Sequence, residues 1–100
     1  MNKYGLSTET FEQIQATFRK FPQVHKAILY GSRAKGNFHN GSDIDIVLQG
    51  NDLNLQVLAD IGLSLDDLFL PYKIDLSILQ HIRNPDLLNH IERVGVVINE

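Results

Sequence analysis

The chain contains no cysteine, so a disulfide framework and a thiolate metal site are both excluded. It has no excess of positive charge: nine Lys and Arg stand against twelve Asp and Glu, a net charge of −3. With a pI near 5.7, it is not built to wrap a nucleic-acid backbone through bulk electrostatics, and direct nucleic-acid binding is not expected. No apolar run reaches the length of a membrane span. The segment Met1-Asn2-Lys3-Tyr4-Gly5 lacks the apolar core of a signal peptide, so a cytoplasmic location is expected. Internal repeats, low-complexity segments and linkers are missing as well. One hundred residues suit a single domain spanning 1–100. A chain this short buries a modest share of its surface, and a partner covering apolar area would add stability.

Two nucleotide-binding signatures are absent. Gly31 and Gly36 have the separation of a Walker A loop, but Asn37-Phe38 stands where the lysine and Ser/Thr pair is required. The Rossmann glycine pattern does not occur.

The periodicities that are present alternate between helix and strand. Ser7 can cap a helix running to about Phe21, in which Phe11, Ile14, Phe18 and Phe21 recur every three to four residues. Pro22 ends it. Ala27-Ile28-Leu29-Tyr30 is a short apolar run halted by Gly31 and reads as a buried strand, followed by a brief helix or turn over Ser32 to Lys35. Asn37 to Ser42 is loop. Ile44, Ile46 and Leu48 alternate with Asp43, Asp45 and Val47, the period of a strand. Asn54 to Leu65 is helical, with Leu55, Leu58 and Ile61 on one side. Ile74, Leu76 and Ile78 make a third strand. Asn84-Pro85 starts a helix whose apolar face is Leu87, Leu88, Ile91 and Val94. Gly95 stops it, and Val96-Val97-Ile98 is a short fourth strand or a docked tail. The order predicts an α/β or α+β domain, with a small mixed sheet of three or four strands flanked by helices.

Side chains at i and i+2 of a strand share a face. Asp43 and Asp45 therefore project together while Ile44 and Ile46 face the core. Two carboxylates held this close raise each other's pKa unless a cation lies between them. Such hard oxygen ligands suit Mg²⁺, which keeps waters and substrate phosphate oxygens as its remaining ligands. Asp75 lies on the polar face of the third strand. If that strand neighbours the second, three carboxylates converge into a set able to hold two metal ions for in-line displacement at phosphorus. Ahead of them runs Gly31-Ser32-Arg33-Ala34-Lys35-Gly36. Glycine there lets backbone N–H groups approach a phosphate, the Ser32 hydroxyl adds a donor, and Arg33 is positioned to pair with phosphate oxygens. The four histidines, His25, His39, His81 and His90, show no metal-ligand spacing and read as surface residues. Lys73 reads equally well as an ion-pair partner of Asp75. Tyr30 reads as packing.

Glycine-serine after a strand, Asp-x-Asp about ten residues later and a lone strand aspartate together resemble the polymerase-beta-like nucleotidyltransferase superfamily. Gly31 to Gly36 followed by Gly41-Ser42-Asp43-Ile44-Asp45-Ile46 is most similar to its small bacterial members, the minimal nucleotidyltransferases (MNT) that partner HEPN toxins. The resemblance implies the nucleotidyltransferase fold. It implies Mg²⁺, as two ions, on Asp43, Asp45 and Asp75, with these three also catalytic. It implies an NTP, ATP by preference, whose phosphates meet Gly31, Ser32, Arg33 and Ser42. It implies transfer of AMP to a hydroxyl, typically a tyrosine of a helical HEPN partner, which silences that toxin. Two alternatives remain: a catalytically inactive antitoxin that neutralises its partner by contact, and nucleotidyl transfer to a small molecule. Larger superfamily members carry a further helical domain that completes the site, a part that a HEPN partner would supply here.

Overall fold

A computed structural model describes residues 2–100. Its main sheet has four strands: β3 (Lys26–Tyr30), β4 (Ile44–Gln49), β5 (Ile74–Ile78) and β6 (Val96–Asn99). They lie in the order β5-β4-β3-β6. β3 pairs antiparallel with both β4 and β6, and β4 pairs parallel with β5. The mixed sheet flanked by helices is therefore as the sequence predicts, and Val96-Val97-Ile98 is a strand rather than a docked tail.

The helices start where their capping residues dictate. α1 (Thr8–Arg19) is capped by Ser7, whose hydroxyl accepts from the Thr10 amide at 3.1 Å. It stops two residues short of the expected Phe21. α2 (Gly31–Lys35) is a single short turn closed by Gly36 in the left-handed region. α3 (Leu55–Asp66) is capped by Asn54 through the Val57 amide at 2.9 Å. α4 (Pro85–Val94) is capped by Asn84, which accepts from the amides of Asp86 and Leu87. Each such cap satisfies an amide that has no partner within its helix, and contributes roughly 1 kcal/mol.

Strand alternation splits the interior in two. Ala27, Leu29, Ile44, Ile46, Leu48 and Ile78 point to one face and are buried against Ile14 and Phe18 of α1 and Ile61 and Leu65 of α3. Each of the leucines and isoleucines and Phe18 contributes about 1.5–3 kcal/mol through burial, Ala27 less. The other face carries Tyr30 and Val47, covered by Ile91 of α4. α4 leaves the end of this second face that holds the polar residues uncovered. One expectation is corrected: Leu55 does not join the inward side of α3. It is 70% exposed, whereas Ile61 is fully buried. The inward stripe begins at Val57 and Leu58, and Leu55, at the first turn, precedes the contact with the sheet.

An unanticipated feature precedes α1. β1 (Asn2–Lys3) and β2 (Leu6–Ser7) form a tiny antiparallel hairpin. Its two central residues, Tyr4 and Gly5, both have positive φ, 57° and 76°, as a two-residue turn of this hand requires. The hairpin matters because the Tyr4 carbonyl takes part in the site described next.

Candidate active site

The register places Asp45 of β4 directly opposite Asp75 of β5, and Tyr30 of β3 opposite Asp45. Residues paired across a ladder project to the same face, so Tyr30, Asp45 and Asp75 form one row across three strands. Asp43 lies one residue before β4, exposed, two positions from Asp45. The predicted neighbourhood of β4 and β5 is thus met, and the three aspartates share one end of the sheet.

Their charges are felt. Burial pushes the Asp45 carboxyl above its ordinary value, and the carboxylates of Asp75 and Asp43 push it further, with His90 and Lys73 acting in the opposite direction. Tyr30 is raised too, by burial first and by Asp45 and Asp75 in addition, while the neighbouring Ser77 hydroxyl opposes the shift. Ser77 Oγ is buried beside the Tyr30 hydroxyl without a hydrogen bond of good geometry. The Lys73 charge acts on Asp45 in the direction that favours its ionised form.

Gly31 is where the backbone makes the site possible. Its φ is +75°, and a Cβ there would collide with Asp45 Oδ2. Only glycine combines the left-handed conformation with so close an approach of carboxylate to main chain. Gly31→Ala is expected to cost about 1–3 kcal/mol, a melting temperature lower by about 5–20 °C, which thermal denaturation would read directly.

The Gly31 amide is not free. It donates to His90 Nε2 at 3.0 Å, and the His90 ring meets Tyr30 edge-on with centroids 6.2 Å apart. His90 is therefore a site residue that the sequence reading passed over. The available signal was its position: it shares the apolar stripe of α4 with Leu87 and Ile91, where a polar residue needs a partner.

Arg33 requires a correction. Expected to face phosphate, it is 1% exposed. Its Nε and Nη2 both donate to the Ser42 carbonyl, at 3.1 and 2.9 Å. Nη2 also reaches the Asn40 carbonyl at 3.4 Å, and Nη1 the Tyr4 carbonyl at 2.9 Å. The guanidinium lies over the rings of Tyr72 and Phe38, at 4.8 and 5.3 Å from their centroids. With its donors spent in this way, Arg33 pins the peptide immediately before Asp43 and joins the loops that lead into β4 and β5. Ser42 is held by the same network, and its Oγ accepts from the His39 amide at 3.0 Å. His39 is locked within its own loop, its Nδ1 accepting from the Gly41 amide at 3.2 Å.

The family follows from comparison with known proteins. The polymerase beta nucleotidyltransferase model matches residues 12–100, and the chain belongs to that family. A search of curated proteins found no match. Among solved structures, the chain is similar to a toxin–antitoxin complex crystallised with AMP-PNP, with a TM-score of 0.71 and 23% identity over 88% of this chain and 71% of that one. It is also similar to a structure of a tri-AMPylated Shewanella oneidensis HEPN toxin with its MNT antitoxin, with a TM-score of 0.66 and 20% identity over 90% and 69% of the two chains. A variant of the MntA toxin–antitoxin complex matches with a TM-score of 0.68 and 25% identity over 86% and 68%. These likenesses concern the fold. No helix among the described residues is long and apolar enough to cross a membrane.

Proposed function

We propose that this chain is a Mg²⁺-dependent adenylyltransferase that moves AMP from ATP to a hydroxyl of a helical HEPN-type partner, acting as its antitoxin. The observation that carries the reading is the in-register pair Asp45 and Asp75 with Asp43 beside it, next to the Gly31-Ser32 turn. The AMPylated toxin of the similar complex supports the choice of acceptor.

The donor set fits a divalent cation. Three carboxylates share one end of the sheet, and Asp45 is held above its ordinary value by burial and by the other two, with His90 and Lys73 offsetting part of the shift, so a cation there would favour its ionised form. Asp43 and Asp75 are exposed, so the set is open toward solvent rather than a closed cage. Among the described residues, no three acidic, histidine or cysteine side chains are gathered closely enough to hold a metal ion by themselves, so substrate and water would have to supply the rest. Openness of this kind suits Mg²⁺, which takes only part of its ligands from protein. Asp43, Asp45 and Asp75 would hold it, and when bound it supplies charge neutralisation on the triphosphate and at the reacting phosphorus.

The remaining roles belong to the chain. Ser32 and the first amides of α2 face the β- and γ-phosphates; the Gly31 amide joins them once His90 lets go of it. The Ser42 contribution is to fix the loop that presents Asp43. Asp75, at the edge of the sheet, accepts the proton of the acceptor hydroxyl at its carboxylate. The acceptor oxygen forms a bond to the α-phosphorus, the bond to the bridging oxygen breaks, and pyrophosphate departs with that electron pair. Positioning and electrostatics account for such a rate.

Incubation of the chain with MgATP and the product of the adjacent gene, followed by intact mass, tests the reading. The partner is expected to gain AMP, and Asp43→Asn with Asp45→Asn is expected to abolish the gain. Neutralisation of the partner with no mass change would replace catalysis by simple contact.

A further inference from the structure

The face of α3 that points away from the sheet is unpartnered. Leu55, Ala59 and Leu63 recur at four-residue intervals and so form one stripe; all three are exposed, Leu55 by 70% and Leu63 by 64%. Beside Gly62 there is open space, with no atom within 4 Å of where a Cβ would stand. Past the helix, Phe69 is 88% exposed and has a φ of 53°, rare for a bulky residue. Single exposed apolar residues are ordinary. A leucine stripe continued by an outward phenylalanine marks a contact surface.

Charge says what covers it. From Gly50 to Tyr72 the chain has four aspartates, Asp52, Asp60, Asp66 and Asp67, and no lysine, arginine or histidine. This one segment more than accounts for the net charge of −3. A second copy packed on the same stripe would set four carboxylates against four with no cation to offset them, which like-charge repulsion disfavours. An apolar stripe on a segment whose only charged residues are aspartates complements an apolar stripe rimmed by Lys and Arg.

Topology says what such a contact would accomplish. β4 and β5 are parallel, so α3 has to carry the chain from the end of β4 back to the start of β5. The C-terminal end of α3 and Phe69 consequently lie at the end of the sheet where Asp43 precedes β4 and Asp75 begins the edge strand β5. α3 covers the sheet face opposite the aspartates, so a protein seated along α3 and over Phe69 would reach them only round the edge strand β5.

We infer, resting on the protein-acceptor reading above, that α3 and Phe69 dock a basic amphipathic helix of the acceptor protein and set its hydroxyl-bearing segment beside Asp75. The contact buries the exposed Leu55, Leu63 and Phe69 side chains and brings protein alongside the solvent-open end of the site.

The experiment uses the full chain and the product of the adjacent gene, the proposed HEPN-type acceptor. Affinity is measured by isothermal titration and AMP transfer by intact mass, for wild type, Leu55→Glu with Leu63→Glu, Phe69→Ser, Asp60→Lys with Asp67→Lys, and Val97→Glu on the far strand β6 as control. The altered side chains are exposed, and unchanged melting temperatures confirm folding. Both apolar variants are expected to weaken binding by at least about 30-fold. The charge-reversed variant is expected to associate more slowly and with less salt dependence. Val97→Glu is expected to bind as wild type does. Hydrogen exchange in the complex is expected to slow across α3. If wild type binds and transfers AMP while the α3 variants do so within twofold, the docking site is wrong and the catalytic reading stands. If wild type neither binds nor modifies the protein, both fall. A dimer of the chain alone, dispersed by Leu55→Glu with Leu63→Glu, would assign the surface to a second copy and overturn the choice of occupant.

Discussion

Asp45→Asn is expected to abolish transfer and, without divalent cation, to raise the melting temperature. The two effects have one cause. Asp45 faces Asp75 across the parallel ladder and is half-buried, and its carboxyl is held above the ordinary 3.8 by burial, then by Asp75, then by Asp43. The unfolded chain ionises this group at its ordinary value, whereas the folded chain ionises it only at a higher pH. Above the folded value, folding holds a charge that its surroundings disfavour, so the wild type carries a penalty that is complete at neutral pH. That penalty fades as pH falls through the raised value and is gone below 3.8. Asparagine removes it. The variant is therefore expected to melt higher than the wild type at pH 7, with the advantage shrinking as pH is lowered. Mg²⁺ is expected to raise the melting temperature of the wild type and leave that of the variant nearly unchanged. Transfer falls by at least about 10²–10³-fold, the scale on which removing one electrostatic anchor acts. Calorimetry over a pH series, with and without Mg²⁺, reads the first effect, and product mass reads the second.

Arg33→Met is expected to be the most destabilising single change in the site. A buried guanidinium is usually paired with a carboxylate. Here its hydrogen bonds go to the carbonyls of Tyr4, Asn40 and Ser42, with the rings of Phe38 and Tyr72 below and beside it. Methionine fills the volume but leaves those carbonyls without donors, at about 3–5 kcal/mol and a melting temperature lower by about 10–25 °C. Arg33→Lys keeps the charge, yet a single ammonium cannot serve three separated carbonyls as the planar fork does. It is expected to melt between the two. Because the Ser42 carbonyl belongs to the peptide that leads into Asp43, the lysine variant is expected to lose about 100-fold in transfer, the scale of an ångström of misplacement. Were Arg33 a phosphate ligand instead, Arg33→Met would fold normally and weaken ATP binding alone.

Much of this was legible in the chain because local rules govern it. Ser7, Asn54 and Asn84 mark helix starts through short-range hydrogen bonds. The alternation of Ile44, Asp45 and Ile46 reports which side of a strand meets the core. The convergence of Asp75 on Asp45 needed only that two strands be neighbours. What escaped depends on contacts distant in sequence. Arg33 looks exposed because a charged residue in a polar loop ordinarily is, and its burial requires the Tyr4 carbonyl from a hairpin 29 residues earlier. His90 gains its role from Gly31, 59 residues away. Tyr30 reads as packing until the register sets it opposite Asp45. Leu55 is apolar and a turn from Leu58, yet the face that meets the sheet is set by Ile61 and Leu65, which leaves Leu55 outward with Leu63.

The row Tyr30, Asp45 and Asp75, with Asp43 at its rim, is the central claim, and labelled ATP tests it most directly. With ATP labelled at the α-phosphate and, separately, at the γ-phosphate, the chain and the HEPN-type protein proposed as its partner are incubated with Mg²⁺ and the proteins resolved. The expected result is label on the partner from the α-position alone, with pyrophosphate released in equal amount and no label when Asp45 is asparagine. Label from the γ-position, or α-label that persists in Asp45→Asn, would contradict the assignment of these carboxylates to nucleotidyl transfer.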